Sequence, residues 1–173
     1  VAMAAASAGL SYHYLPHKYD KITMIKILIA DDHAIVREGL KQIVAEESDM
    51  KVTGEAGNAD EVFEILKTNN FDIAILDINM PGKSGLDLLK DLKIQYPKLP
   101  VLILSMYGEE QYGIRALKAG ALGYLRKVSA PNELVTAIRK IVSGGKYISQ
   151  ALAEKLAENL DISQTGLPHE KLS

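Results

Sequence analysis

The sequence contains no cysteine, so it can form neither a disulfide bond nor a thiolate metal site. This absence fits a reducing compartment such as the cytoplasm, which is the localisation we expect. There is also no large excess of one charge, because 20 basic and 22 acidic side chains give a formal net charge of −2. Such a balance lacks the basic surface typical of nucleic-acid binders. No apolar run reaches the roughly 18 residues of a membrane span, so no membrane partner is expected.

The first 23 residues do not match a known processing signal. Val1–Leu10 is apolar, but no Lys or Arg precedes it, as a secretory signal peptide would require. We interpret residues 1–23 as a leader or tag-like extension, with Met24 as the natural start of the protein. The extension contains His13 and His17, which could bind a metal ion together only if this segment were helical.

The remaining chain is rich enough in apolar residues to fold as one domain with a flanking segment. Hydrophobic residues make up 47% of the sequence. Short apolar strands alternate with amphipathic helices, and the strands are predicted at residues 25–30, 51–56, 71–76, 101–104 and 123–126. This alternation predicts an α/β fold in which a doubly wound parallel sheet has helices on both faces. A further amphipathic helix is predicted at residues 151–160, followed by a polar segment.

Polar side chains follow the strands at the points where they end. Asp31 and Asp32 follow the first strand, Asp77 the third, Ser105 the fourth and Lys127 the fifth. Ligands of open α/β sheets bind beyond the carboxyl ends of the strands, so these five side chains are expected to converge. The sequence therefore predicts a site with three carboxylates, one hydroxyl and one ammonium group.

The charges of these groups indicate their chemistry. Three neighbouring carboxylates repel one another unless a cation lies between them, and oxygen ligands suit Mg²⁺ or Mn²⁺. The lack of clustered His or Cys residues argues against zinc. A bound divalent ion lets a phosphoryl donor approach an acidic pocket, and one carboxylate can then act as a nucleophile and form an acyl phosphate. The Lys127 ammonium and the Ser105 hydroxyl can bind phosphoryl oxygens.

Four separated segments resemble the receiver domain of bacterial two-component response regulators. They are IADDH at 29–33, LDINMPG at 76–82, LS at 104–105 and GALGYLRK at 120–127. The resemblance covers Met24 to about Gly145. It implies a flavodoxin-like receiver fold, with a five-stranded parallel sheet in the order 2-1-3-4-5 and a C-terminal linker helix. The domain is accordingly assigned to residues 24–145.

The resemblance also implies a role for each site residue. Asp77 would be the phosphoacceptor. Asp31, Asp32, Asp77 and the backbone carbonyl of Asn79 would hold Mg²⁺, with Asp31 acting through water. Ser105 and Lys127 would bind the phosphoryl group. Tyr124 would be the aromatic switch, which turns inward after Ser105 moves toward the phosphate. The phosphoryl donor would be a sensor histidine kinase, and the module would not be a turnover enzyme.

The C-terminal part is similar to regulators of the NarL/FixJ (LuxR-type) family. The segments GGKYIS at 144–149 and LPHEKLS at 167–173 carry this likeness. Residues 146–173 would then be a linker helix and the start of a truncated helix-turn-helix domain. The family implies a transcription regulator that contacts DNA only through the missing C-terminal domain and that can form a homodimer on phosphorylation. A stand-alone receiver relay protein without a DNA-binding domain is the alternative.

Two other classes of protein share parts of this sequence pattern. A haloacid-dehalogenase-like phosphatase also has a nucleophilic Asp at a strand end, but it needs a second Asp two residues later as a general acid. Asn79 occupies that place and cannot exchange protons. A flavodoxin-like cofactor binder needs a neutral loop after the first strand, where this sequence has Asp31 and Asp32.

Two smaller sequence features suggest a nucleotide site or a histidine metal ligand, but neither is interpreted as a separate site. Gly82-Lys83-Ser84 resembles part of a nucleotide-binding loop, but such a loop needs a glycine at the place of Asp77. His33 could be a metal ligand, although we interpret it as a helix-start residue beside the site.

Overall fold

The structure, a computed structural model, describes residues 23–160. Expectations about residues 1–22 and 161–173, including the leader and the start of a DNA-binding domain, lie outside the described residues. Five parallel strands form one sheet in the order β2-β1-β3-β4-β5, which confirms the predicted topology. The elements are β1 Ile25–Ala30, α1 Ala34–Ala45, β2 Met50–Ala56, α2 Ala59–Thr68, β3 Ile73–Asp77, α3 Gly85–Gln95, β4 Val101–Ser105, α4 Glu109–Lys118, β5 Gly123–Arg126 and α5 Ala130–Val142. A sixth helix, α6, covers residues 150–160.

The central strands are buried on both faces, as their continuous apolar sequences predict. Every residue of β3 and β4 is buried, whereas the edge strand β2 alternates between buried and exposed positions. On one face, Leu28, Leu76 and Ile103 pack against α2, α3 and α4. On the other face, Ile29 and Leu104 pack against α1 and α5. The doubly wound architecture is therefore confirmed.

Polar side chains cap the N-termini of two helices. Asn58 Oδ1 accepts a hydrogen bond of 2.9 Å from Glu61 N at the start of α2. Ser84 caps α3 by accepting from Asp87 N at 3.2 Å. Lys83 pairs with Asp91. The Gly-Lys-Ser triplet therefore serves a helix start and an ion pair, in agreement with its rejection as a nucleotide loop.

Strand β3 is shifted from its predicted limits. The structure starts it at Ile73 and includes Asp77, whereas residues 71–76 were expected. The Asp72 carboxylate accepts a 2.8 Å hydrogen bond from Lys26 N of the neighbouring strand β1, so a side-chain oxygen takes the place of a main-chain acceptor just before β3 begins. Lys127 begins a short 3₁₀ turn that ends at Ser129. Among residues 23–160 there is no cis peptide bond, so the Lys127–Val128 bond is trans.

The segment after α5 folds back onto the sheet. Tyr147 forms a parallel bridge with Gly123 of β5, and its backbone N donates to Leu122 O at 2.9 Å. Leu152 of α6 is buried in the core formed with α4, where a side chain on Gly113 would lie 2.8 Å from the Leu152 methyl group. We call residues 146–160 the C-terminal segment. Across residues 23–160, the helices are too short or too polar to cross a membrane.

Candidate functional site

The predicted carboxylates meet at the carboxyl edge of the sheet. Strands β1 and β3 are neighbours, with Ala30 opposite Leu76, so Asp31 and Asp77 are placed side by side. Both are buried, with 2% and 3% of their surfaces exposed, whereas Asp32 beside them lies nearer the solvent. A carboxylate inside a protein is costly unless it is paired, so two at one place indicate a functional pocket.

Lys127 supplies the compensating charge. Its Nζ lies 2.8 Å from Asp31 Oδ2 and 3.2 Å from Asp77 Oδ2, and only 11% of its side chain is exposed. Burial raises the pKa of Asp77, the Asp31 charge raises it further, and the Lys127 ammonium acts against both. Burial lowers the pKa of Lys127, but the two facing carboxylates outweigh it, so the pKa lies above its usual value. Lys127 therefore stays charged.

One ammonium does not satisfy two buried carboxylates. Asp31 Oδ2 and Asp77 Oδ2 accept no hydrogen bond of good geometry from the described residues, although both are ion-paired with Lys127. A cation bound between these carboxylates could accept their remaining lone pairs. The donor set of carboxylate oxygens fits Mg²⁺ or Mn²⁺.

His33 belongs to this cluster, although the sequence interpretation set it aside. Its Nδ1 lies 3.1 Å from Asp31 Oδ1 and 3.1 Å from Asp32 Oδ1. One ligand atom from each of Asp31, Asp32, His33 and Asp77 can be chosen so that all four lie within 4.8 Å of one another. The adjacency of His33 to the acidic pair was the available signal.

The loop after β3 is held against the Asp77 carboxylate. Asn79 N donates to Asp77 Oδ1 at 3.2 Å, and Gly85 N donates to Ile78 O at 2.8 Å. A Cβ at position 85 would lie 2.1 Å from Asp77 O, so only glycine lets α3 approach the strand end this closely. Gly85 was not singled out from the sequence, because nothing local shows that a helix start will contact another strand's backbone.

Ser105 and Tyr124 are linked through the loop between β4 and α4. Ser105 is buried at the end of β4, and its Oγ accepts from Tyr107 N at 3.0 Å. The buried Tyr124 hydroxyl donates to Tyr107 O at 3.0 Å and lies 3.3 Å from Gly108 O. Burial raises the pKa of this hydroxyl, so it is protonated and acts as a donor at neutral pH. Any movement of the loop will therefore affect both side chains.

Comparison with known proteins gives a consistent result. Residues 27–139 match the family model of the response regulator receiver domain. The chain is 33% identical over 151 residues to the response regulator UvrY of Escherichia coli K12, covering 87% of this chain and 69% of UvrY. It is 36% identical over 132 residues to the transcriptional regulatory protein DegU of Brevibacillus brevis, covering 76% of this chain and 56% of DegU.

A solved structure shows the same likeness in three dimensions. It is a two-component response regulator of the LuxR family from Aurantimonas sp. SI85-9A1, and it matches with a TM-score of 0.71 at 32% identity. The match covers 79% of this chain and 97% of that one. The similarity therefore extends over nearly the whole described fold.

Proposed function

Because the chain belongs to the receiver domain family of two-component response regulators, and within it to the NarL/FixJ (LuxR-type) group, we propose that Asp77 is its phosphoacceptor. The observation that carries the proposal is the pair of buried carboxylate oxygens on Asp31 and Asp77 without hydrogen-bond donors, facing one lysine. An Asp77 oxygen would attack phosphorus while the bond from phosphorus to the donor breaks, which leaves an acyl phosphate on Asp77. The donor is a phosphohistidine of a sensor histidine kinase, or a small acyl phosphate.

A divalent ion is needed because the pocket is acidic and the arriving group is anionic. Asp31, Asp32, Asp77 and the Asn79 carbonyl would hold Mg²⁺ or Mn²⁺. When bound, the ion neutralises charge on the pocket and on the phosphoryl oxygens. The chain's own cation, Lys127, would pair with a phosphoryl oxygen after its contact with Asp77 is replaced.

Ser105 and Tyr124 would transmit the structural effect of phosphorylation out of the pocket. We assign Ser105 as a donor to a phosphoryl oxygen, which requires its hydroxyl to turn from Tyr107 N toward Asp77. Because the Tyr124 hydroxyl is bonded to the same loop, Tyr124 would report this change at the surface of α4 and β5. The resemblance implied that Tyr124 turns inward on phosphorylation, whereas its ring is already buried here, so the proposed switch is a change in its contacts with this loop.

The module would act as a switch and not as a turnover enzyme. A phosphatase of the haloacid-dehalogenase kind needs an acid two residues after its nucleophilic aspartate. Asn79 occupies that position here, and its amide cannot deliver a proton. We assign residues 24–145 to the receiver and residues 146–173 to a linker helix and the start of a truncated DNA-binding domain. The name of DegU as a transcriptional regulatory protein supports this output. A homodimer formed on phosphorylation belongs to the same proposal.

The phosphoacceptor is tested by intact-mass measurement after incubation with acetyl phosphate. We expect one phosphoryl adduct in the presence of Mg²⁺, none in excess chelator and none in Asp77→Asn. Asp60→Asn is the matched control, because Asp60 is an exposed acid in the first turn of α2. Normal labelling of Asp77→Asn, or full labelling without a divalent ion, would falsify the proposal.

A further inference from the structure

We propose that His33 is a nitrogen ligand of the acidic pocket and makes it a site for late first-row divalent ions, in particular Zn²⁺ and Cu²⁺. The inference goes beyond the proposed function, from which it takes only the assumption that the carboxylates can hold a divalent ion. It reverses the expectation, drawn from the lack of clustered histidines, that the chain has no site for such ions.

The distances between the donor atoms suit a bound ion. Metal bonds to nitrogen and oxygen of about 2.0–2.2 Å place neighbouring ligand atoms about 3.0–3.5 Å apart in octahedral or tetrahedral sites. The Nδ1 of His33 is 3.1 Å from one carboxylate oxygen of Asp31 and 3.1 Å from one of Asp32. An ion can therefore contact the imidazole and both carboxylates after small shifts of exposed side chains.

The backbone holds the imidazole over the pocket. His33 is the N-cap residue of α1 with extended backbone angles, and its amide donates to Asp31 Oδ1 at 2.8 Å. Its side chain makes no helix-cap hydrogen bond, so an ion at Nδ1 would replace only the contacts of this atom with Asp31 Oδ1 and Asp32 Oδ1. Its side chain is 61% exposed, which lets an ion from solvent reach Nδ1 without any opening of the core.

A second observation indicates that the pocket can accept an ion. Asp31 Oδ2 and Asp77 Oδ2 are buried and lack hydrogen-bond donors among residues 23–160, apart from their charge pairing with Lys127. Three carboxylates thus face one ammonium. A divalent ion reduces this imbalance, which no side chain of the described pocket does.

The kind of ion follows from the donor types. Mg²⁺ prefers oxygen ligands and keeps several waters, so the imidazole adds little to its binding. Zn²⁺ and Cu²⁺ bind imidazole strongly and stand at the top of the affinity order for such sites. An ion held by His33 would cover the entrance to Asp77 and compete with Mg²⁺, so it would slow phosphorylation.

The test uses the full chain with its other three histidines, His13, His17 and His169, changed to glutamine. His33 is then the one imidazole in a sequence with four histidines and no cysteine. Zn²⁺ affinity is measured by competition with a chromophoric chelator, Mg²⁺ affinity by calorimetry, and nitrogen coordination by the hyperfine splitting of bound Cu²⁺ in electron paramagnetic resonance. Circular dichroism confirms that each variant is folded.

Adding His33→Gln should weaken Zn²⁺ binding by about tenfold or more, remove the imidazole coupling from the Cu²⁺ spectrum and leave Mg²⁺ affinity within about twofold. Equal Zn²⁺ affinity with and without His33, or an unchanged Cu²⁺ spectrum, overturns the inference. Phosphorylation of Asp77 with Mg²⁺ is followed in the same variants. Its absence in every variant would contradict the proposed function while leaving the His33 result to stand on its own measurements.

Discussion

Charged side chains gather at both edges of the sheet, but in different environments. At the carboxyl edge, Asp31 and Asp77 are buried and share one cation, Lys127, whose side chain is only 11% exposed. At the amino edge, Arg139 of α5 pairs with Glu47 at 2.6 Å and with Asp49 at 2.9 Å, and 47% of its side chain is exposed. The amino-edge pairs have better geometry and more hydrogen bonds, because Arg139 also donates from Nε to Asp49.

The geometry of an ion pair and its contribution to stability are therefore separate properties. Exposed ion pairs gain little, because water and salt screen them and ordering long side chains is costly. Buried charges interact strongly, and removing one partner leaves the others without compensation. The carboxyl edge should therefore govern how stability responds to mutation, although the amino edge has the more regular ion pairs.

The largest effect is expected for Lys127→Met, which keeps the apolar stem and removes the charge. At pH 7 in chelator, the free energy of unfolding should fall by about 3 kcal/mol, because two buried carboxylates lose their shared cation. Urea denaturation measures the loss, and Lys90→Met on the exposed side of α3 is the control. The loss should shrink at acidic pH, where a carboxyl can take up a proton. A loss at pH 7 no larger than that of the control would contradict the buried-charge argument.

A smaller effect of opposite sign is expected for Asp77→Asn. Since burial raises the pKa of Asp77 in the folded protein, the folded state holds this proton more tightly than the unfolded state. Stability from this group is therefore present below the usual aspartate pKa and is lost as the pH rises through the folded pKa. At pH 7 without metal, Asp77→Asn should be more stable by about 1 kcal/mol, because one carboxylate then matches one ammonium.

The same variant gives a second measurement. Thermal unfolding between pH 4 and pH 7 in chelator should show a fall in wild-type stability that is reduced in Asp77→Asn. Mg²⁺ should then stabilise the wild type more than the variant, because the variant lacks one carboxylate ligand. Identical pH profiles of the two proteins would show that Asp77 is not the carboxyl group whose ionisation destabilises the folded protein.

The smallest effect is expected for Arg139→Met at the amino edge. The nearby Asp49 and Glu47 raise the pKa of Arg139 and the Arg139 contact lowers that of Asp49, but these groups are in contact with water. We expect a shift in the urea midpoint close to the reproducibility of the titration, and smaller still in 1 M salt. A loss comparable to that of Lys127→Met would remove the distinction between the two edges.

The sequence predicted most of what places the site. Parallel strands with continuous apolar runs, each followed by a polar residue, led to Asp31, Asp77, Ser105 and Lys127, and the sheet order implied by the family was confirmed. Strand limits were predicted less accurately, because Asp77 is the last residue of β3 and not the first residue after it. A hydrogen bond to a neighbouring strand decides such limits, and it depends on register that a single segment does not reveal.

Contacts that depend on side-chain rotamers and on helix packing could not be predicted in the same way. The closeness of His33 Nδ1 to two carboxylates depends on a side-chain rotamer, and the contact of Gly85 with Asp77 depends on how α3 crosses the strand end. The inward position of the Tyr124 ring is also a rotamer choice. Its assigned role as a switch was taken from the family, and it stays a prediction.

The bridge between Tyr147 and Gly123 has a consequence for self-association. An open sheet has two outer strands, whose unpaired amide groups can pair with a strand of another molecule and begin aggregation. On β2, exposed Lys51 and Glu55 and a register shift beside Thr53 oppose such pairing. β5 has only four residues and lacks such features. Instead, Tyr147 pairs with the backbone of this edge: its N donates to Leu122 O, and its O accepts from Tyr124 N. The residues that follow α5 thus protect the edge strand β5, which contains Tyr124, from pairing with strands of other molecules and starting aggregation.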